Sequence, residues 1–129
     1  VRASMEGISM GLRVLLDELG RLTTLGDEML LVGGGARSEL WRQIYADVYN
    51  LRVVKTNIDQ QAAALGAAAI AAVGAGLWEN FDAIDSAHEL QSSAEPIDAH
   101  VATYDKLRGV YRNASAALAT IGDELTALD

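Results

Sequence analysis

Three consecutive glycines, Gly33, Gly34 and Gly35, separate a short apolar run at residues 29–32 from a helical pattern that begins at Ser38. A short apolar run that ends in glycine is typical of a buried parallel strand. Glycine has no β-carbon, so the turn can adopt conformations closed to other residues and can approach a ligand closely. The junction therefore predicts a strand, a tight turn and a helix in direct succession.

The residues after the turn complete a larger unit. Ser38 is suited to cap a helix, Glu39 favours its positive end, and apolar residues recur along one face as far as residue 49. Residues 51–55 then form a second short strand. A helix that joins two neighbouring strands gives a right-handed crossover between parallel strands. We therefore predict an α/β fold in which residues 29–32 and 51–55 pair in parallel.

An amphipathic helix precedes this unit. Apolar residues recur at helical spacing from Met5 to Leu19, with charged residues between them, and the pattern ends near Gly20. Gly7 and Gly11 lie inside it, where each glycine lowers helix propensity by about 1 kcal/mol. They indicate either a close approach by another backbone or glycines tolerated in a helix that tertiary contacts stabilise.

An alanine-rich helix follows the second predicted strand. A capping-box spacing that begins at Asn57 predicts its start, and Gly74 and Gly76 are suited to end it. Residues 81–87 then form a brief helix that Asn80 begins, and residues 91–96 a loop.

The last segment has the most regular apolar repeat in the chain and predicts one long C-terminal helix. Its two heptad positions hold Tyr104, Tyr111, Leu118 and Leu125, and Leu107, Ala114, Ile121 and Leu128. This seam either docks onto its own domain or pairs with another chain.

Composition limits the classes of function. Eighteen acidic against ten basic residues give a net charge of −8, which disfavours nucleic acid and anionic membranes. The chain has no cysteine, no signal-peptide pattern, and no apolar stretch long enough to span a membrane, so we expect a soluble, cytoplasmic protein. His88 and His100 have no neighbouring ligand set, so we expect both to be solvated and no metal site.

The glycine turn is the candidate binding site. Its backbone amides and the following helix dipole favour an anion, and open α/β sheets bind ligands at the carboxyl ends of their strands. The turn lacks both the Walker A sequence and the dinucleotide-binding spacing. By its chemistry alone it is either a phosphate site or a tight structural turn.

The run from Gly33 to Asp47 resembles the adenosine motif of the FGGY carbohydrate kinases, in the form found in members that act on xylulose. Similar features at Glu6–Gly7, residues 63–68 and Tyr104 extend the resemblance from about residue 2 to about residue 118. The resemblance implies a partial actin-like ATPase (ribonuclease H-like) domain with a parallel βαβ unit, flanking helices and a long C-terminal helix. It identifies residues 1–129 as the C-terminal portion of the second lobe, an incomplete domain without the N-terminal lobe.

The resemblance also implies roles for the residues of the turn. Gly34 and Gly35 would line the α-phosphate and ribose, and Ala36, Arg37 and Ser38 would lie beside the adenosine. Arg37 alternatively forms only a surface ion pair. The complete set of implied cofactor-binding residues is Gly33, Gly34, Gly35, Ala36, Arg37 and Ser38.

The implied activity is transfer of the γ-phosphate of ATP, with Mg²⁺, to a ketopentose, converting D-xylulose to xylulose 5-phosphate. No catalytic base or metal ligand of the family matches a residue here, so we expect the fragment alone to be inactive. We interpret Trp41 as core packing and Asp47 as structural. Gln61 departs from the glutamate that many family members carry at the start of the alanine-rich helix.

A second hypothesis comes from a different class of function. The chain would be a non-catalytic interaction domain, with a structural glycine turn and a heptad helix that recruits a partner. On either hypothesis a two-strand sheet leaves an unpaired edge and an uncovered apolar face. We therefore expect self-association, in addition to ATP, sugar and the missing N-terminal lobe as partners of the longer kinase.

Overall fold

A computed structural model describes residues 1–58 and 60–127, and this part of the chain has the predicted α/β class. Leu128, the last residue of the predicted heptad repeat, lies outside the described residues. The elements in chain order are α1 (Arg2–Leu22), β1 (Glu28–Leu30), a first 3₁₀ helix (Gly34–Arg37), α2 (Glu39–Tyr49), β2 (Arg52–Thr56), α3 (Ala62–Gly74), a second 3₁₀ helix (Asp82–Ala87), β3 (Leu90–Ala94) and α4 (Asp98–Thr126).

The three strands form one sheet in the order β1-β2-β3. β1 and β2 pair in parallel with Met29 opposite Val53, which confirms the βαβ prediction. β1 ends at Leu30, earlier than predicted, although the Leu31 amide still donates to the Val54 carbonyl at 2.9 Å.

The prediction of a loop at residues 91–96 was wrong, because β3 pairs antiparallel with β2 there. β3 lies at the edge of the sheet and its Leu90 and Ser93 are exposed. A polar edge strand of this kind lacks the apolar signal on which strand prediction depends.

The core is built around α2. Ile44, Ala46 and Val48 of α2 are almost fully buried, and they pack with Met10 of α1 and Tyr104 of α4. The remaining members of the buried cluster are Tyr45, Tyr49 and Val53. Burial of large aliphatic and aromatic side chains is worth about 1.5–3 kcal/mol each, so α2 supplies much of the stability of this part of the chain.

The two glycines of α1 have different surroundings. A β-carbon at Gly11 would lie 2.9 Å from the Tyr111 hydroxyl of α4, whereas one at Gly7 would meet nothing within 4 Å. The prediction of a close approach by another backbone was wrong at both positions, because the neighbour of Gly11 is a side chain and Gly7 is a tolerated glycine. α1 also continues to Leu22, past the predicted end at Gly20.

The capping role predicted for Asn57 was wrong. α3 begins after Gln61 without a side-chain cap. The Asn57 side chain instead bridges to the loop before β3, donating to the Ala87 carbonyl at 3.2 Å and accepting from the Glu89 amide at 3.0 Å. These partners lie about 30 residues away, beyond the reach of local pattern reading.

The prediction that glycines end α3 was confirmed. α3 ends at Gly74, and Gly76 has the positive φ of 72° that favours glycine. The brief helix predicted at residues 81–87 is the second 3₁₀ helix, and the Asn80 side chain accepts from the Asp82 amide at 2.9 Å at its start. Within the described part of the chain, no helix is both long enough and apolar enough to cross a membrane.

An ionic cluster centred on Asp17 joins α1, α2 and α4. Arg13 and Arg108 lie 2.7 and 2.5 Å from the two oxygens of this carboxylate, and Arg112 lies 3.5 Å away. Arg13 also donates to the Val48 carbonyl in the last turn of α2 at 2.6 Å. Burial opposes ionisation of Asp17, but Arg13 and Arg108 outweigh it and hold the pKa of the carboxyl below its ordinary value.

This cluster predicts a component of acid sensitivity. The pKa of the Asp17 carboxyl is lower in the folded protein than in the unfolded chain, where an aspartate has a pKa of about 4. The ionised carboxylate therefore stabilises the fold above this unfolded pKa, and the stabilisation is lost as the pH falls from there through the folded pKa. Asp17→Asn is expected to lower the free energy of unfolding at pH 7 by roughly 1–3 kcal/mol. The free energy of unfolding of this variant should also decrease less than that of the original chain between about pH 5 and pH 3, and urea unfolding measures both effects. Glu18→Gln, whose partner Arg21 is exposed, should change it by less than about 0.5 kcal/mol.

The two glycines of α1 give a second prediction. Gly7→Ala should raise the free energy of unfolding by about 0.5–1 kcal/mol through helix propensity alone. Gly11→Ala carries the same propensity gain, but the Tyr111 hydroxyl must move, so its stability should fall below that of Gly7→Ala. Equal stabilisation by both substitutions in thermal unfolding would contradict the tight contact between α1 and α4.

Candidate functional site

The candidate site is the turn between β1 and α2. β1 runs parallel to β2, so this turn lies at the carboxyl edge of both strands. The Ala36 amide donates to the Gly33 carbonyl at 3.1 Å, and the Ser38 amide donates to the Gly35 carbonyl at 3.2 Å. Ser38 then accepts from the Trp41 amide at 3.3 Å, which is the predicted cap of α2. The N-termini of the first 3₁₀ helix and of α2 therefore both lie shortly after β1.

Gly33 sets the direction of this turn. Its φ of 84° and ψ of −167° lie in a region that is essentially restricted to glycine. At this position the glycine is needed by the fold itself, because any side chain would strain the backbone.

The backbone requirement at Gly33 does not apply to Gly34, whose φ is not positive. A β-carbon at Gly34 would meet nothing within 4 Å, and one at Gly35 would lie 3.5 Å from the Trp41 ring in ordinary contact. No described atom of the chain therefore requires Gly34 to lack a side chain. The space above it admits an outside group, and the amides at the start of a 3₁₀ helix have no acceptor within that helix.

Ala36 differs from the other predicted site residues. It is fully buried, and its carbonyl accepts a hydrogen bond from the guanidinium of Arg42, which is only 7 % exposed. Arg42 Nε has no hydrogen-bond partner among the described residues. A positive charge thus lies directly beneath the turn, where the low dielectric strengthens its effect on an anion.

Sequence reasoning missed Arg42. The sequence offered one signal, because Arg42 directly follows Trp41, where the inward-facing side of α2 begins. An arginine in an amphipathic helix is normally assigned to the solvent-facing side, so this signal was overlooked.

The remaining members of the predicted set are accessible. Arg37 is exposed and Ser38 is half-buried. Gly34 is also exposed, and Gly33 and Gly35 are half-buried, while Ala36 supports the turn from the interior.

Trp41 packs against the core behind the turn, as predicted. Its ring is half-buried against the core and stacks on Tyr45 with 6.0 Å between centroids and 6° between planes. Burial raises the pKa of the Tyr45 hydroxyl above its ordinary value, so the phenol remains neutral beneath the site.

Asp47 has the structural role that was predicted for it. It is 2 % exposed and accepts from the Gln43 side chain at 2.9 Å, from the Ile97 amide at 2.9 Å and from His100 Nδ1 at 2.8 Å. Two of these partners lie at the start of α4, so the carboxylate joins α2 to that helix. His100 is exposed, in agreement with the expectation that it is solvated, and its contact with Asp47 was not predicted.

The expectation that His88 is solvated was wrong, because this residue is half-buried. Its Nδ1 lies 3.0 Å from the hydroxyl of the buried Thr56 at the end of β2. Both histidines find their partners in distant elements, which residue spacing does not reveal. Across residues 1–58 and 60–127, no three side chains of His, Cys, Asp or Glu are grouped closely enough to hold a metal ion.

Comparison with known families identifies the domain to which this arrangement corresponds. The model of the C-terminal domain of the FGGY family of carbohydrate kinases matches residues 1–75, more than half of the chain. The matched stretch contains α1, the βαβ unit with its glycine turn, and α3.

Individual relatives agree with this match. The xylulose kinase of Bacillus subtilis is 32 % identical over 114 residues, which cover 88 % of this chain and 23 % of the relative. The crystal structures of a ligand-bound xylulose kinase and of a gluconate kinase from Lactobacillus acidophilus each superpose with a TM-score of 0.77 at 28 % identity, covering 89 % of this chain and 23 % of theirs. The chain thus spans about a quarter of the length of the proteins it resembles.

The turn predicts a contrast between adjacent glycines. Gly33→Ala should lower the free energy of unfolding by about 1–3 kcal/mol, because its backbone conformation excludes a β-carbon. Gly34→Ala should change it by less than about 0.5 kcal/mol, because the added carbon meets no described atom. Urea unfolding of both variants measures the difference, and a destabilised Gly34→Ala would mean that this position is filled by the chain itself.

Proposed function

This chain belongs to the FGGY family of carbohydrate kinases, and we propose that it is the ATP-binding part of a kinase that transfers the γ-phosphate of ATP to a sugar hydroxyl. Residues 1–129 are, on this proposal, the C-terminal portion of the second lobe of a longer protein. The observation that carries the proposal is the open space over Gly34 at the carboxyl edge of the parallel strands. Nucleotides bind at such edges in open α/β sheets.

The charge around the turn suits a polyphosphate. The helix N-termini contribute partial positive charge, Arg42 lies beneath the turn, and Arg37 lies on the surface beside it. These groups attract an anion despite the net charge of −8 on the whole chain. We assign the backbone of Gly34 and Gly35 to the α-phosphate and ribose, and Arg37 and Ser38 to the adenosine side.

Ala36 has an indirect role in this proposal. Its side chain is buried, so it fixes the turn while its neighbours meet the nucleotide. Because Gly33 and Ala36 are both held by the fold, the site is formed before ATP arrives, and binding does not have to order the loop.

Phosphoryl transfer also needs Mg²⁺, which bridges the phosphates and neutralises developing charge, and a base that orients the sugar hydroxyl. We place the metal ligands, the catalytic carboxylate and the sugar pocket in the part of the longer kinase outside this chain. The chain by itself is then expected to bind adenine nucleotide weakly and to have no kinase turnover, since a half-cleft desolvates its ligand poorly.

The proposed sugar is a ketopentose, D-xylulose, which would be converted to xylulose 5-phosphate. The names of the relatives support this choice, although a gluconate kinase superposes equally well. The alternative hypothesis, a non-catalytic interaction domain with a structural glycine turn, accounts for the heptad helix. It assigns no role to the open space over Gly34 at the carboxyl edge of the parallel strands.

Gly34→Val in the full-length protein tests the proposal. The branched side chain would fill the space over the turn without straining a positive φ, so we expect KM for ATP to rise at least about tenfold, with KM for the sugar little changed. Gly34→Ala should give an intermediate effect.

The isolated chain provides a second measurement. Calorimetry with ATP·Mg²⁺ should show weak binding, and a coupled assay with D-xylulose should show no ADP formation. An unchanged KM for ATP in Gly34→Val, or sugar-dependent ADP formation by the isolated chain, would overturn the assignment.

A further inference from the structure

Arg42 is a charged residue in the interior of the domain. Its side chain is only 7 % exposed, and one of its guanidinium nitrogens donates to the Ala36 carbonyl at 2.5 Å. Arginine is almost never fully buried without a partner for its charge, because removing an ion from water is costly. A guanidinium in this position therefore needs an anion nearby.

The described residues do not supply that anion. Within this part of the chain Arg42 forms no ion pair, and its Nε has no hydrogen-bond partner. Asp17 and Asp47, which are both shielded from solvent, pair instead with Arg13 and His100. The counter-charge of Arg42 must therefore come from outside the described residues.

The hydrogen bond to Ala36 does not by itself explain a charged residue at position 42. Ala36 is fully buried near the end of the first 3₁₀ helix, where carbonyls lack donors within the helix. Such a carbonyl needs a donor, but a neutral amide would provide one without the cost of a buried charge. The charge of Arg42 therefore has a role beyond this bond.

The open side of the turn is close enough to be affected by this charge. Ala36 follows Gly34 by two residues, so their Cα atoms are at most about 7 Å apart. The guanidinium and the open space over Gly34 therefore adjoin the same short segment of backbone. Across a packed interior of low dielectric, opposite charges attract over such distances more strongly than they do in water. An anion over Gly34 would thus balance the charge of Arg42.

We propose that Arg42 is a positioning residue for the nucleotide: it fixes the Ala36 carbonyl of the turn and supplies the positive charge that the α-phosphate balances on binding. This inference rests on the proposed function, in which the backbone of Gly34 and Gly35 meets that phosphate. Arg42 does not touch the ligand and acts on it through the turn. It increases the affinity for the phosphate and leaves the affinity for the adenosine unchanged.

Two substitutions that differ in charge test the proposal in the full-length protein. Arg42→Lys and Arg42→Gln both keep a hydrogen-bond donor at this position, but only the lysine keeps the positive charge. The probes are AMP and adenosine, which differ by one phosphate, each measured as a competitive inhibitor against ATP. In Arg42→Gln the inhibition constant of AMP should rise about tenfold and that of adenosine less than about twofold. In Arg42→Lys both constants should stay within about threefold of the original values.

A purely structural role of Arg42 predicts a different pattern. If the arginine only held the turn together, its replacement would weaken AMP and adenosine equally. That result, an unchanged inhibition constant for AMP in Arg42→Gln, or a lysine variant that behaves like the glutamine variant would each overturn the proposal. If Arg42→Gln does not fold, Arg42→Met takes its place with the same expected constants.

Gly34→Val separates this proposal from the function on which it rests. If Gly34→Val raises KM for ATP while Arg42→Gln leaves inhibition by AMP unchanged, only the role of Arg42 is wrong. If Gly34→Val leaves KM for ATP unchanged, the nucleotide does not bind over the turn and both proposals are wrong.

Discussion

The burial of α2 is the constraint on which the other elements depend. Every residue from Ile44 to Tyr49 is buried, so this helix contacts the sheet, α1 and α4 at once. Polar bonds fix its two ends, since Arg42 holds the carbonyl of the turn before it and Arg13 of α1 binds the Val48 carbonyl near its last residue. The cost of burying these polar groups is offset only when their partners are in place, which makes the arrangement specific as well as stable.

The position of α2 explains why the glycine turn is an ordered structure rather than a flexible connection. Its strand is paired, its capping serine bonds to the first turn of α2, and its one buried side chain, that of Ala36, lies within the packed interior. The outer side of the turn is left open at Gly34. The fold therefore holds the backbone amides and the buried Arg42 guanidinium in place before any ligand binds. This preorganisation lowers the entropic cost of binding an anion.

Local sequence signals were enough to predict the elements that depend on residues close together in the sequence. The strand, the glycines and Ser38 lie within ten residues of one another, and the βαβ unit follows from their order. The errors share the opposite property. β3 is a polar edge strand recognised only by its pairing with β2, Asn57 and His88 bond to residues far along the chain, and the burial of Arg42 depends on the carbonyl that it meets. The turn itself was predictable, but the charge beneath it was not.

The two open apolar surfaces of the chain require different kinds of cover. On α1, Leu12, Leu15 and Leu19 lie beside Met29 and Leu31, next to the strand at one edge of the described sheet. A partner there must pair with backbone groups of β1 as well as cover leucines, which another strand and its connection do and a lone helix does not. The apolar stripe in the exposed second half of α4 has no strand edge beside it, and all its backbone hydrogen bonds are internal to a helix. Such a surface needs only matching side chains. For this reason we expect a further strand of the longer protein to cover the first surface, whereas a helix is sufficient for the second.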